Sequence, residues 1–252
     1  MKISIITVAY NADRFIRDAI ESVLGQNYIN VEYIVVDGKS TDTTVNILES
    51  YIECFKKAGK SIRWISEEDQ GIYDAMNKGI ALASGRYIGL LNADDYYTNS
   101  KIISFVAGFL SRSPKDYIYG DVAFVNDTGE RITRKYSSKI YNKKRLKYGI
   151  MPAHPTLFVK KDVFKKVGLY DPTFRIAGDF DFVARLASCD DLEYSYIPEV
   201  FIKMRRGGVS TRSYRSNLAI TRELLEACYR NGIQTNRLLL TLRYLIKVRQ
   251  FL

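Results

Sequence analysis

Apolar and polar residues alternate in blocks along the first half of the chain, and the blocks have two different periods. Ile3 to Tyr10 is a short, β-rich apolar run. After it, Phe15, Ile16, Ala19, Ile20, Val23 and Leu24 recur at the spacing of one helix face. Asn11 is a residue type that caps such a helix and Gly25 one that stops it. Tyr33 to Val36 predicts a second strand, about Asp42 to Lys57 a helix, and Ser61 to Ser66 a third strand. Ile72 to Ala83 predicts a helix ended by Ser84-Gly85. Tyr87 to Leu91 then predicts a strand, Ile102 to Leu110 a helix and Tyr117 to Val125 another strand. This alternation with short connections predicts an α/β fold with a doubly wound, mostly parallel sheet. Ligands of such sheets sit outside the carboxyl ends of the strands.

The second half is less regular. Helices are predicted over Lys161 to Val167 and Phe180 to Ala187, and the tail from about Ser216 to Leu252 reads as two helices parted by Asn231-Gly232. With no internal repeat and no low-complexity linker, both halves are expected in one body. The expected division is a domain over residues 1–210, with halves 1–125 and 126–210, and a basic helical C-terminal extension over 211–252.

At 252 residues and 46% hydrophobic, the chain is long and apolar enough for a full core, which excludes a disordered, collagenous or disulfide-stapled protein. Cys54, Cys189 and Cys228 are far apart and show no CxxC spacing, which suggests reduced thiols and no structural zinc. Met1-Lys2-Ile3 runs directly into a strand, so no signal peptide is expected. Leu238 to Leu252 is interrupted by Arg243, Lys247 and Arg249 and is too short and too charged to span a bilayer. The expected location is the cytoplasm.

The net charge of +10 is unevenly spread. Residues 1–130 hold 13 basic and 18 acidic side chains, a net of −5, and residues 131–252 hold 25 and 10, a net of +15. Arg131 to Lys147 alone carries eight basic residues and no acidic one. A uniform solubilising surface would not divide this way.

Carboxylates collect at the predicted strand ends. The second strand ends in Asp37, the fourth runs into Asn92-Ala93-Asp94-Asp95, and Glu67-Glu68-Asp69 precedes the third helix. Such a rim suits a hard divalent cation or the donor groups of a nucleotide. Any one of these Asp residues reads equally well as a helix cap or turn former. The adjacent Asp94 and Asp95 are less easily explained so, because like charges repel unless a cation or solvent relieves them. Gly38-Lys39-Ser40-Thr41 imitates the end of a P-loop, but Tyr33 stands where that motif needs its first Gly. No GxGxxG follows the first strand, and there is neither a His-based metal site nor a nucleophile elbow.

Five segments in order resemble the motifs of family 2 glycosyltransferases. They are Ile5-Ile6-Thr7-Val8-Ala9-Tyr10-Asn11, Val35-Val36-Asp37-Gly38-Lys39-Ser40-Thr41-Asp42, Gly71-Ile72-Tyr73-Asp74-Ala75-Met76-Asn77-Lys78-Gly79, Leu91-Asn92-Ala93-Asp94-Asp95, and Gly168-Leu169-Tyr170-Asp171 with Ile176-Ala177-Gly178-Asp179-Phe180-Asp181. The likeness covers roughly residues 1–210 and is nearest to the bacterial subgroup that builds surface polysaccharides such as O antigen, capsule or colanic acid. It implies a GT-A fold and inverting transfer from a nucleotide-sugar donor, UDP-hexose or UDP-N-acetylhexosamine. By the same resemblance Asp37 binds uracil, Tyr10 lies against it, and Asp69 and Asn77 complete the base and ribose contacts. Asp94 and Asp95 match the DxD element, Asp95 being the ligand of Mg²⁺ or Mn²⁺, and Asp179 is the catalytic base. Three departures stand out: Asn92 replaces the first DxD carboxylate, Gly178-Asp179 replaces a Glu-Asp pair, and Lys39 enters the Asp-Asp-Gly-Ser segment.

These roles have a chemical basis. Departure of a diphosphate builds negative charge that a cation beside Asp95 would neutralise. A sugar hydroxyl is a poor nucleophile and needs a positioned base, and with one His in the chain a carboxylate such as Asp179 is the natural choice. His154, between two prolines, is either a turn or core-edge imidazole or part of the acceptor or pyrophosphate site; Asp181 is a further candidate there. Arg205-Arg206-Gly207-Gly208-Val209-Ser210 offers two cations and flexible N–H donors to phosphate, or is an exposed basic turn.

The basic half fits an oligosaccharide or lipid-diphosphate-linked acceptor at an anionic membrane, where each Lys or Arg contributes about 1 kcal/mol. Peripheral attachment to the inner face of the cytoplasmic membrane is expected. Arg237, Arg243, Lys247 and Arg249 are spread around the helical wheel, so membrane insertion, packing on the domain and a homo-oligomer contact stay open for the tail. A nucleic-acid-binding module would show a basic helix, an RNP strand or a zinc site, and none is present. A sugar-nucleotide nucleotidyltransferase would need a Gly-rich basic loop after the first strand, where Asn11 and Asp13 stand instead.

Overall fold

The computed structural model describes the backbone of residues 1–205 and 214–248, with side chains over 1–205 and 218–243. The first half alternates as β1 (Ile3–Ala9), α1 (Ile16–Leu24), β2 (Val31–Asp37), α2 (Thr44–Ser50), α3 (Ile52–Lys57), β3 (Ser61–Ser66), α4 (Ile72–Leu82) and β4 (Tyr87–Leu90). Then come β5 (Tyr96–Tyr97), α5 (Ile102–Arg112), β6 (Tyr117–Val125), β7 (Ile132–Tyr136), β8 (Phe158–Lys160), α6 (Lys161–Val167), α7 (Gly178–Ser188) and β9 (Tyr194–Arg205). Helices α8 (Tyr214–Arg230) and α9 (Arg237–Val248) complete the described chain.

The strands form one nine-stranded sheet in the order β3-β2-β1-β4-β8-β6-β9-β5, with β7 added to β6. β3, β2, β1 and β4 are mutually parallel, β8 is antiparallel to both β4 and β6, β9 is parallel to β6, and β5 and β7 are antiparallel additions. Six strands therefore point one way and β8, β5 and β7 the other. The α/β class and the mostly parallel sheet read from the sequence are what the structure has.

Alternate residues of one strand face opposite sides of a sheet, and here each side meets helices. Ile6, Ile34 and Val36 pack with Tyr73, Met76 and Ile80 of α4, Phe164 of α6, Phe182 of α7 and Leu224 and Cys228 of α8. Ile5, Tyr33 and Val35 pack with Ile16, Ile20 and Val23 of α1, Leu48 of α2, Phe55 of α3 and Val106 of α5. Fully burying each such aliphatic or Phe side chain stabilises the fold by about 1.5–3 kcal/mol. At the far end of the strands Glu32, 2% exposed, joins three strands and the turn before β4. It accepts from Lys2 Nζ at 3.0 Å, Ser4 Oγ at 2.6 Å, Arg63 Nη2 at 2.7 Å and Ser84 N at 2.8 Å. Burial alone would raise its carboxyl, but hydrogen bonds from Ser4, Ser84 and Lys2 outweigh this and bring it to about 2.

Two local expectations are corrected. Asn11 does not cap α1, which begins at Ile16. Asn11 is left-handed (φ 47°), and its Oδ1 accepts from Thr41 N at 2.9 Å, lacing the β1–α1 loop to the β2–α2 loop. The single helix over Asp42 to Lys57 is two, because at Tyr51 the N–H bonds three residues back to Leu48 O at 3.1 Å and tightens the turn. The tail packs on the domain through Leu224, Ala227, Cys228, Leu240 and Arg243, all buried. Gly149 lies against Leu224, Leu240 and Arg243. No helix among the described residues is long and apolar enough to cross a membrane.

Candidate active site

Parallel register brings the carboxyl ends of β1, β2 and β3 to one edge: Ala9 stands opposite Asp37, and Asp37 opposite Ser66. Asp37 is fully buried. Its Oδ2 accepts from Ser40 N at 2.9 Å and Ser66 Oγ at 2.6 Å, and its Oδ1 from Ser40 Oγ. The carboxylate thus shapes the turn that presents Gly38 and Lys39. A Cβ on Gly38 would lie 2.5 Å from Asp69 Oδ2 and 3.5 Å from Tyr10 Cδ2, so these two side chains converge on the turn. Tyr10 is 66% exposed, a ring open at the mouth of this rim. Asp69 Oδ1 accepts from Gly71 N at 2.9 Å, which leaves Oδ2 facing the turn. Lys39 pairs with Glu68 at 2.9 Å on the surface.

Beyond β4 the chain turns through Asn92 to Asp95, with Asp95 N bonded to Asn92 O at 3.1 Å. Asp95 is 1% exposed and Asp94 half-buried. Asn92 Nδ2 donates to Asp95 Oδ2 at 2.9 Å, so Asn92 holds the Asp95 carboxylate. Burial pushes the carboxyl of Asp95 well up, and the charge of Asp94 adds to it; burial raises Asp94 as well. Arg205 offsets this only in part. Its guanidinium is buried beneath the loop, donating to Asp94 O at 3.1 Å and Asp127 O at 3.2 Å and pairing with Asp18. It also lies over the rings of Phe15 and Tyr96, at 4.7 and 5.0 Å. A buried and a half-buried carboxylate, side by side and only partly offset by Arg205, are a hard-oxygen set that a divalent cation fits. Among the described residues no group of three or more His, Cys, Asp or Glu side chains gathers, so the rest of an ion's shell would come from ligand or water oxygens.

Asp179 lies in the first turn of α7, half-buried, with Oδ1 accepting from Phe180 N at 2.7 Å. Position 178 has no room for a side chain unless the Tyr73 ring shifts. A Cβ there would sit 2.7 Å from Cε2 of the Tyr73 ring. Tyr73 Oη in turn donates to Ile176 O at 2.7 Å and is bonded by the backbone of Gly178 and Asp179.

Four predicted site residues are committed to the protein itself. The Asn77 amide is bonded on both sides to Tyr170: Nδ2 donates to Tyr170 O at 2.7 Å and Oδ1 accepts from Tyr170 N at 2.9 Å. Asp181 is 4% exposed, held by Arg185 Nε and Asn231 Nδ2, each at 2.9 Å. His154 is the core imidazole, bonded through Nε2 to Tyr170 Oη at 2.8 Å, and burial lowers its pKa to about 4, so it brings no charge to a phosphate. Arg205 braces the Asp94–Asp95 loop from behind, and Arg206 lies outside the described residues. The sequence assigns no role to Tyr73 or to Asn92 as a brace, although both lie in motif segments, and nothing around Asp18 or Glu223 announces one.

Residues 4–168 match the sequence pattern of glycosyl transferase family 2. The chain belongs to this family. A PGL/p-HBAD biosynthesis glycosyltransferase of Mycobacterium bovis is 30% identical to this family 2 chain over 209 residues, 82% of this chain and 78% of the relative. An uncharacterized glycosyltransferase of Rickettsia typhi is 30% identical over 210 residues, 81% of this chain and 63% of its own. The fold is similar to S. aureus TarS 1–349 solved with UDP-GlcNAc, at TM-score 0.71 and 18% identity over 92% of this chain. It is also similar to the mannosyltransferase PcManGT of Pyrobaculum calidifontis, solved with GDP-Man and Mn²⁺, at TM-score 0.64 and 17% identity over 93%. This family 2 chain spans 66% and 65% of those two solved chains.

Proposed function

We propose that this glycosyltransferase moves a hexose or N-acetylhexosamine from a UDP donor to a sugar acceptor with inversion, in the assembly of a surface polysaccharide. The observation that carries the reading is the single sheet edge at which Tyr10, Asp37 and Asp69 surround the Gly38 turn while Asp94 and Asp95 follow the neighbouring strand. It receives further support from relatives solved with UDP-GlcNAc and with GDP-Man and Mn²⁺. In this reading Tyr10 stacks on uracil and Asp69 takes its N–H and the ribose hydroxyls, while Asp37, buried and bonded to Ser40 and Ser66, holds the turn that they line. Mg²⁺ or Mn²⁺ held by Asp94 and Asp95 would supply positive charge where the diphosphate leaves. Asp179 accepts the proton of the acceptor hydroxyl as its oxygen bonds to the anomeric carbon and the carbon–oxygen bond to the diphosphate breaks. A single displacement from the face opposite the leaving group inverts the centre. Family membership supports this reading over a nucleotidyltransferase or a nucleic-acid-binding module.

A thermal-shift panel of UDP, GDP and dTDP, each with and without Mn²⁺, tests it. UDP with Mn²⁺ is expected to stabilise most, by about 2.7 kcal/mol at a hundred times its Kd. If no nucleoside diphosphate raises the melting temperature, the reading fails.

The acceptor is proposed to be lipid-diphosphate-linked, with the enzyme peripheral on an anionic membrane face. Arg131, Lys135, Lys139, Lys144 and Arg145 are exposed on β7 and in the segments just before and after it, which supports this. The protein is expected to float with anionic vesicles at low salt and to be released as salt rises. Failure to float at low salt would refute attachment.

A further inference from the structure

The backbone that leads into α7 is gripped from two sides. On one side Glu223 of α8 reaches across with its carboxylate: Oε2 accepts from Ile176 N and Ala177 N, both at 2.8 Å, and Oε1 from Arg175 N at 3.2 Å. Three consecutive N–H groups with no strand or helix partner form a concave anion site, and here a side chain 47 residues away in sequence fills it at Ile176. On the other side Tyr73 of α4 closes on the same stretch. Its ring lies flat under Gly178, and its hydroxyl bonds Ile176 O and the backbone of Gly178 and Asp179. Between the two grips, every backbone group from 175 to 178 named here is held by a group from outside the loop, and Asp179 is the next residue. Further contacts clamp α8 to the same segment. Arg230 Nη1 pairs with Asp171 Oδ2 at 2.7 Å and lies over Phe174 at 4.9 Å, and Asn231 holds Asp181.

We infer that Glu223 and Tyr73 are positioning residues that fix the carboxylate of Asp179 for proton transfer, and that α8 is therefore a working part of the enzyme. The inference rests on the reading of Asp179 as the base. Charge-assisted bonds to Glu223 are about twice as strong as neutral ones and immobilise the entry to α7. A displacement of about 1 Å at a reacting group can cost on the order of a hundredfold in rate. Tyr73 adds a link to the donor side, because it lies two residues after Gly71, whose N–H is held by Asp69 at 2.9 Å.

The test compares full-chain Glu223→Gln, Tyr73→Phe and Asp179→Asn for release of UDP from UDP-N-acetylglucosamine, UDP-glucose or UDP-galactose with Mn²⁺, water serving as acceptor. Glutamine cannot accept from all three N–H groups, and phenylalanine keeps the ring under Gly178 while losing the hydroxyl. Each of these two variants is expected to lower kcat by about ten- to a hundredfold, with donor KM and the UDP-induced thermal shift within twofold of wild type. In the Asp179→Asn background, Glu223→Gln is expected to leave the residual rate within twofold, because the group it positions is gone. If Asp179→Asn keeps wild-type turnover, or if the wild type releases UDP from none of the three donors, the reading beneath the inference falls. If Asp179→Asn is inactive while Glu223→Gln and Tyr73→Phe keep kcat within twofold, the positioning role falls alone. Parallel loss of kcat and UDP binding, or full additivity in the Asp179→Asn background, would also overturn it in favour of general destabilisation. Should Glu223→Gln not fold, Tyr73→Phe decides by the same criteria.

Discussion

Replacing Asp179 by Asn is expected to lower sugar transfer by about 10²–10⁴-fold, the usual contribution of a positioned general base. The substitution keeps the shape of the side chain and an oxygen that can accept from Phe180 N, now at 2.7 Å from Oδ1, so α7 should start where it does in the wild type. What disappears is the capacity to take a proton. The thermal shift induced by UDP with Mn²⁺ should therefore be unchanged, because the rim at Tyr10, Asp37 and Asp69 lies on other loops. Loss of turnover with donor binding intact separates a chemical role from a folding one. A variant that turns over at wild-type rate would leave Asp179 as no more than a residue of the first helical turn.

The second large effect is expected at Asp95. Asp95→Asn should reduce transfer by about 10²–10³-fold, the range found when one preorganised electrostatic contact is removed. Its decisive signature lies in binding. In the wild type Mn²⁺ should add to the stabilisation by UDP, because Asp95 is buried beside a half-buried Asp94 and Arg205 offsets their charge only in part. In the variant that increment should vanish while UDP alone still stabilises. The Mn²⁺ increment is the quantity to measure, by thermal shift at fixed UDP. An undiminished increment in Asp95→Asn would place the ion elsewhere.

The polar residues divide by how far away their partners lie. Asp37 shapes its turn with Ser40, three residues on, and that role is an ordinary one for Asp in sequence. Arg205 pairs with Asp18, 187 residues away, and nothing near either residue hints at it. Asn77, His154 and Asp181 were all reasonable ligand candidates by type. Each has instead been satisfied within the protein, Asn77 and His154 both by Tyr170. Glu223 sits on an amphipathic helix where a Glu is unremarkable, and it acquires meaning only because the backbone of 175–177 lies against it.

From the sequence alone came the strand–helix alternation, the strand-end placement of Asp37, Asp94 and Asp95, and the likeness to family 2. These are local properties, because hydrophobic period and turn chemistry follow from backbone geometry within a few residues. The tertiary structure alone decided which carboxylates are bonded within the protein and which stay partly open, and it set Glu223 of α8 against the backbone that leads into α7. The reason is that a polar group is available to a ligand only when packing leaves it short of partners, and those partners come from anywhere in the chain.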